Sequence, residues 1–283
     1  MERISAAAHA ISSARLSRTP LHVLPAPLKP RDEAEAYQAQ EAVHAILAAT
    51  AWGPVVGYKI GCTTPVMQQY LGIAHPCAGG VFAGHVHASG VTLTGSDYLR
   101  IGAECEIAVR LAEDLTPSEV PFSAENVAKA VGSYMAAIEI VDDRYADWRG
   151  TDAPTLIADD FFAAGCVLGE PVVRDTAPEL SEVIGQTFIH GVEVGRGIGS
   201  DVMGHPHEAL AWLANSLAGR GKLLRAGQIV LTGSLVQTVW LTPEDKVVVT
   251  VSGLGSVTLD VRGAGSSAHN LGEHRRSDRP DPH

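Results

Sequence analysis

In Met135-Ala136-Ala137-Ile138-Glu139-Ile140-Val141 a single carboxylate stands in an otherwise apolar strand. No other feature of the chain limits its fold as much. Such a strand packs into a core, and burying Glu139 with it is costly without a partner. Arg144, close by in the chain, is one candidate partner. A cation shared with other carboxylates is the other.

Gly102-Ala103-Glu104-Cys105-Glu106-Ile107-Ala108-Val109-Arg110-Leu111 supplies such carboxylates. Alternate residues of a strand share a face. Cys105, Ile107, Val109 and Leu111 make an apolar face, and Glu104, Glu106, Ala108 and Arg110 make the opposite one. Two carboxylates side by side repel, and a shared cation offsets the repulsion. A solvent-facing strand explains the same pattern without an ion. Convergence of Glu104, Glu106 and Glu139 would give all-oxygen ligation, which selects a hard ion such as Mg²⁺ or Mn²⁺.

A third segment, Gly57-Tyr58-Lys59-Ile60-Gly61-Cys62-Thr63, sets one lysine between glycines. The glycines allow close backbone approach. Lys59 either snorkels to solvent or presents an ammonium that holds a substrate carboxylate or moves a proton.

Around these segments the texture changes once. Residues 1 to about 50 are Ala-rich and read as helical, with Pro30 and Asp32 marking a helix start before Glu33. A short helix is expected over 64–72. From Gly79 onward, short β-type runs alternate with turn signals. A helix is expected in Asn126-Val127-Ala128-Lys129-Ala130-Val131-Gly132-Ser133-Tyr134-Met135-Ala136-Ala137, and another after His205-Pro206. The pattern is α+β: a small helical N-terminal lobe carrying the lysine strand (1–78), a β-rich domain (79–263), and a polar, disordered tail (264–283).

Composition removes several classes of function. The net charge of −11 repels phosphate backbones, and basic residues do not cluster before the tail, so no nucleic acid is expected as partner. No apolar run approaches the ~20 residues of a membrane span. Cys62, Cys77, Cys105 and Cys166 form no CxxC pair, and the N-terminus lacks the apolar core of a secretory signal. Reduced thiols in a cytoplasmic protein are expected.

Several segments together resemble a known family. After Gly57–Gly61 come Met67-Gln68-Gln69-Tyr70-Leu71-Gly72, the two-glutamate strand, Ala137–Arg144, and His205-Pro206 leading into Ala209–Asn215. Ala226-Gly227-Gln228-Ile229-Val230-Leu231-Thr232-Gly233-Ser234-Leu235 and Leu254-Gly255-Ser256-Val257 follow. In this order, from about Ala34 to Arg262, they resemble the 2-keto-4-pentenoate hydratase / 4-oxalocrotonate decarboxylase family of the fumarylacetoacetate hydrolase superfamily. The resemblance implies a mixed β-roll, a homo-oligomer and a Mg²⁺ or Mn²⁺ site formed by Glu104, Glu106 and Glu139. It also implies a substrate-side lysine at Lys59 and a residue near the substrate's carboxylate at Ser234. The implied activity is addition of water to a 2-hydroxydienoate such as 2-hydroxypenta-2,4-dienoate, giving a 4-hydroxy-2-oxo acid in aromatic catabolism. The alternatives are decarboxylation of a 4-oxalocrotonate-type acid, C–C hydrolysis of an acylpyruvate, and plain binding of a metal or 2-oxo acid. Two departures stand out: Cys77 takes the place of an aspartate usual in an EPDYG-like segment, and Ala158-Asp159-Asp160 replaces a usual ADN.

Overall fold

A computed structural model describes residues 2–64, 68–69, 71–116 and 120–263. The expected tail at 264–283 lies outside these residues, as does much of the helix expected over 64–72. The helices include α1 (Glu2–Ser17), α2 (Glu33–Ala48), α3 (Ala124–Ala130), α4 (Ala153–Ala158) and α5 (Pro206–Ala218). The strands are β1 (Val55–Gly61), β2 (Cys77–Phe82), β3 (Val86–Ala88), β4 (Val91–Thr94), β5 (Ile101–Leu111), β6 (Val131–Asp142) and β7 (Ala163–Leu168). They continue with β8 (Val172–Val173), β9 (Ile184–Ile189), β10 (Val192–Ile198), β11 (Ile229–Ser234), β12 (Val239–Trp240), β13 (Lys246–Val251) and β14 (Gly255–Arg262).

The N-terminal helices form where the sequence places them. Asp32 caps α2, its carboxylate accepting the Glu35 amide at 2.9 Å. The helix expected to run through Ala137 instead stops at Ala130, and β6 begins at Val131. Register with β5 wins over local propensity here, since residues from Val131 to Asp142 all find ladder partners or flank them.

The strands build two sheets. The larger runs β2-β1-β11-β5-β6-β7-β3, with β12 added to β5 and β8 to β6. The smaller runs β10-β9-β13-β14-β4. Both are mixed: β1 lies parallel to β11, β3 to β7 and β4 to β14, and the remaining pairs are antiparallel. The larger sheet curls until β2 meets β7, which closes it into a roll. The lysine strand is therefore a member of this sheet. Gly57 makes its pairing with β11 possible: a Cβ there would lie 2.1 Å from the Ile229 carbonyl oxygen.

The two faces of the large sheet pack differently. Cys105, Ile107 and Val109 point into the main core, which also holds Val247, Val249, Val257 and Leu259 of the smaller sheet. Ala108, Met135, Ala137, Cys166 and Leu231 point inside the roll with Val81 and Ile229. By strand alternation, the carboxylates of β5 and β6 share that inner face.

Candidate active site

Ladder register brings the four charged groups together. Glu104 stands opposite Glu139 across β5 and β6, and Glu106 opposite Ala137 one pleat away. On the other flank, Lys59 pairs with Leu231, Leu231 with Ala108, and Ala108 with Met135. All four side chains thus enter the roll from one face. One carboxylate oxygen from each of Glu104, Glu106 and Glu139 lies within 4.8 Å of the others. Glu106 and Glu139 are fully buried, and Glu104 is partly exposed.

The partners of these carboxylates are few. Gly233 donates its amide to Glu106 Oε2 at 2.9 Å, and the Thr238 hydroxyl donates to Glu104 Oε1. Lys59 Nζ lies 3.1 Å from Glu139 Oε1, close as an ion pair but not aligned as a hydrogen bond. Glu106 Oε1 and Glu139 Oε2 have no aligned donor, and Glu139 Oε1 faces only the Lys59 ammonium. Buried carboxylate oxygens without donors are rare and costly. Arg144, the other partner considered for Glu139, spends its guanidinium on Asp159, Phe162 and Ala163 instead.

Electrostatics agree with this geometry. Burial, then the charge of Glu139, pushes Glu104 up to about 7. Burial, then Glu139 and Glu104, holds Glu106 well above the usual carboxylate range. Burial alone would lower Lys59, but Glu139, Glu104 and Glu106 outweigh it and hold the ammonium form. Once all three carboxylates ionise, as they would around a cation, three carboxylates and one ammonium leave two negative charges, the charge that a divalent cation balances. The orphaned oxygens, the all-oxygen donor set and this charge fit a hard dication. Cys166 stands opposite Glu139 in the ladder, and burial, then Glu139, pushes its thiol up to about 12.

Comparison with known proteins places the chain in a family. The fumarylacetoacetate (FAA) hydrolase C-terminal family model matches residues 83–262. A 2-keto-4-pentenoate hydratase of Paraburkholderia phymatum is 32% identical over 255 residues, covering 90% of this chain and 96% of that protein. The chain belongs to the 2-keto-4-pentenoate hydratase / 4-oxalocrotonate decarboxylase family, within the fumarylacetoacetate hydrolase superfamily. A second member, 2-hydroxyhexa-2,4-dienoate hydratase of Comamonas testosteroni, is 32% identical over 72% of this chain and 77% of its own. Among solved structures, the 4-oxalocrotonate decarboxylase of Pseudomonas putida G7, complexed with magnesium and adipate, superposes with a TM-score of 0.85. It is 26% identical and covers 92% of this chain and 97% of its own. The α+β architecture with a mixed sheet is thus the hydratase family's fold, as expected.

Other residues singled out in the sequence fall around this centre. Ser234 pairs with Glu106 at the end of β11, but its hydroxyl donates to the Val236 carbonyl. Cys77 opens β2 opposite Gly61 and is fully buried. Hydrogen bonding with Cys62, then burial, holds its thiol far above the usual range, so it stays neutral. His75 pairs with Glu33 at 2.9 Å and stacks on Trp212.

Three contributors to this candidate site carry no pattern in the sequence: the Gly233 amide, the Thr238 hydroxyl and the Phe161 carbonyl, which accepts Lys59 Nζ at 2.7 Å. Thr232-Gly233-Ser234 entered the resemblance through Ser234, not through the Gly233 amide. Backbone groups leave no residue-type signature, and Thr238 lies far from Glu104 in the chain.

Proposed function

We propose that the chain is a divalent-cation-dependent hydro-lyase that adds water to a 2-hydroxydienoate such as 2-hydroxypenta-2,4-dienoate, in aromatic catabolism. The donorless buried oxygens of Glu106 and Glu139, beside Glu104 and facing Lys59, carry this reading. Full-length likeness to hydratases supports it. Glu104, Glu106 and Glu139 would hold Mg²⁺ or Mn²⁺, in keeping with the magnesium in the related decarboxylase. When bound, that ion supplies a Lewis acid for the C1 carboxylate and C2 oxygen of a 2-oxo acid, offsetting charge that builds on the C2 oxygen.

The chain's own residues do the rest. Lys59 keeps an ammonium at the carboxylates, pinned by the Phe161 carbonyl and by Glu139. There it orients the substrate and moves protons: one from the C2 hydroxyl, with a proton delivered to C5, converts the dienol to an enone. Water then adds its oxygen to C4 and a proton to C3, leaving the 4-hydroxy-2-oxo acid. Ser234 and Cys77 line the approach on the β11 and β2 sides in this reading. Burial inside the roll excludes bulk water, which strengthens each of these interactions.

Decarboxylation uses the same electron sink, and the likeness to a 4-oxalocrotonate decarboxylase favours it as the second reading. The proposal includes self-association, supported by Val192 and Val194, which stand exposed on the edge strand β10. It also includes a cytoplasmic setting, which suits four free cysteines. No helix among the described residues is long and apolar enough to cross a membrane.

The test is to incubate the protein with 2-hydroxypenta-2,4-dienoate, 4-oxalocrotonate and an acylpyruvate, each with Mg²⁺ or with EDTA. Loss of dienol absorbance only with Mg²⁺ is expected. Carbon dioxide release from 4-oxalocrotonate with an inert dienoate would make it a decarboxylase, and Mg²⁺ binding with no turnover would make it a binder.

A further inference from the structure

Behind Lys59 lies a second buried ionic cluster that the reaction does not use directly. Its centre is a turn at Asp160, Phe161 and Phe162, with φ of 55°, 49° and 67°. None of the three is glycine, and side-chain-bearing L residues resist this left-handed conformation. Surrounding contacts must hold it.

They converge from four elements. Arg15 of α1, buried to 5% exposure, donates from Nε to Asp159 Oδ1 at 2.5 Å, from Nη1 to Asp160 Oδ2 at 3.0 Å, and from Nη2 to the Asp159 carbonyl. Arg144 donates to the carbonyls of Asp159, Phe162 and Ala163 and to Asp159 Oδ2, where the Tyr145 hydroxyl also donates at 2.8 Å. From α2, His44 Nε2 lies 2.7 Å from Asp160 Oδ1, which also accepts the Gly80 amide of β2 at 2.9 Å. Gly79 leaves room for the turn, since a Cβ there would meet the Asp160 carbonyl oxygen at 2.8 Å.

The middle of the turn faces Lys59. The Phe161 carbonyl accepts its Nζ at 2.7 Å, and the Phe161 ring centroid lies 5.5 Å from the same nitrogen. Only one peptide unit separates the cluster from the reacting lysine. Arg15 has a particular place in it: its fork reaches both aspartate side chains and the intervening carbonyl at once, which a point charge cannot do. It also comes from a helix that supplies no residue to the carboxylate site.

We propose that Arg15 is a positioning residue: from the N-terminal helix it locks the left-handed turn at 160–162, and the turn fixes Lys59 against Glu139. The inference rests on the assignment of Lys59 to the reaction. It makes α1 part of the catalytic apparatus, acting at a distance through backbone geometry.

The test compares full-length wild type with Arg15→Met and Arg15→Lys. Two readouts are taken beside the thermal melt: kcat and KM for dienoate hydration with Mg²⁺, and the acetylation rate of Lys59 by acetic anhydride. Exposed Lys129 serves as internal reference. Both variants are expected to lose kcat, ~30-fold for Met and ~5-fold for Lys, with KM and Mn²⁺ affinity within about threefold of wild type. Acetylation of Lys59 should rise at least fivefold relative to Lys129 in Arg15→Met. If Arg15→Met gives no cooperative melt, Arg15→Lys decides. Unchanged kcat and unchanged Lys59 reactivity in a folded variant would overturn the proposal, as would loss of kcat and Mn²⁺ binding in equal proportion. Should wild type fail to hydrate the dienoate, the acetylation comparison still tests the positioning.

Discussion

Glu106 has one donor, the Gly233 amide, for two buried carboxylate oxygens, and two further carboxylates beside it. Replacing it with glutamine removes a charge that burial and its neighbours disfavour, and adds an amide that can donate to Glu139. Glu106→Gln is therefore expected to abolish Mg²⁺-dependent turnover while melting at or above the metal-free wild type; a lower melting temperature would contradict this account. Lys59→Met should act oppositely on stability, because it leaves Glu139 buried without its counter-charge. Breaking a buried pair costs about 3–5 kcal/mol, readable by urea unfolding of the metal-free protein, and turnover should be lost with it. At this scale the sequence was informative about type and silent about pairing. Strand alternation put Glu104 and Glu106 on one face, and the apolar neighbours of Glu139 demanded a partner. That the nearest partner is Lys59 rather than Arg144 depends on a parallel β1–β11 pairing that no local pattern encodes.

Elements hold these residues in register, and β1 is the most exposed to failure. Gly57→Ala would drive a Cβ to 2.1 Å from the Ile229 carbonyl oxygen, where only backbone movement relieves the clash. Overpacking of this kind costs about 1–3 kcal/mol or more. We expect a lowered urea midpoint together with reduced activity, since Lys59 sits two residues along the same strand; an unchanged midpoint would mean β1 pairs differently. Most elements were legible, α2 by its Asp32 cap and β5 by its period of two. β6 was misread at its start, because Val131–Ala137 looks helical locally and becomes strand only through pairing with β5. The turn at 160–162 was invisible: two adjacent phenylalanines predict core packing, and nothing in them announces three left-handed residues held by Arg15 and Arg144.

For the whole molecule, the carboxylate cluster ties stability to pH and to metal. Glu104 moves from its usual 4.5 to about 7 on folding. The folded, metal-free chain therefore holds more protons than the unfolded chain between these values, and its stability falls as pH rises through that window. A bound dication removes the penalty by favouring the ionised carboxylates, so Mn²⁺ affinity should rise with pH through that window and protons should be released on binding. At a metal concentration of 100 Kd the folded state gains about 2.7 kcal/mol, or roughly 5 °C for a chain of this size, checked by thermal melts with and without EDTA. The central claim is that Glu104, Glu106 and Glu139 hold one ion. Anomalous scattering from crystals grown with Mn²⁺ tests it most directly. The account predicts one peak per chain, about 2.1 Å from an oxygen of each of the three glutamates; a peak elsewhere, or none at saturating Mn²⁺, would contradict it.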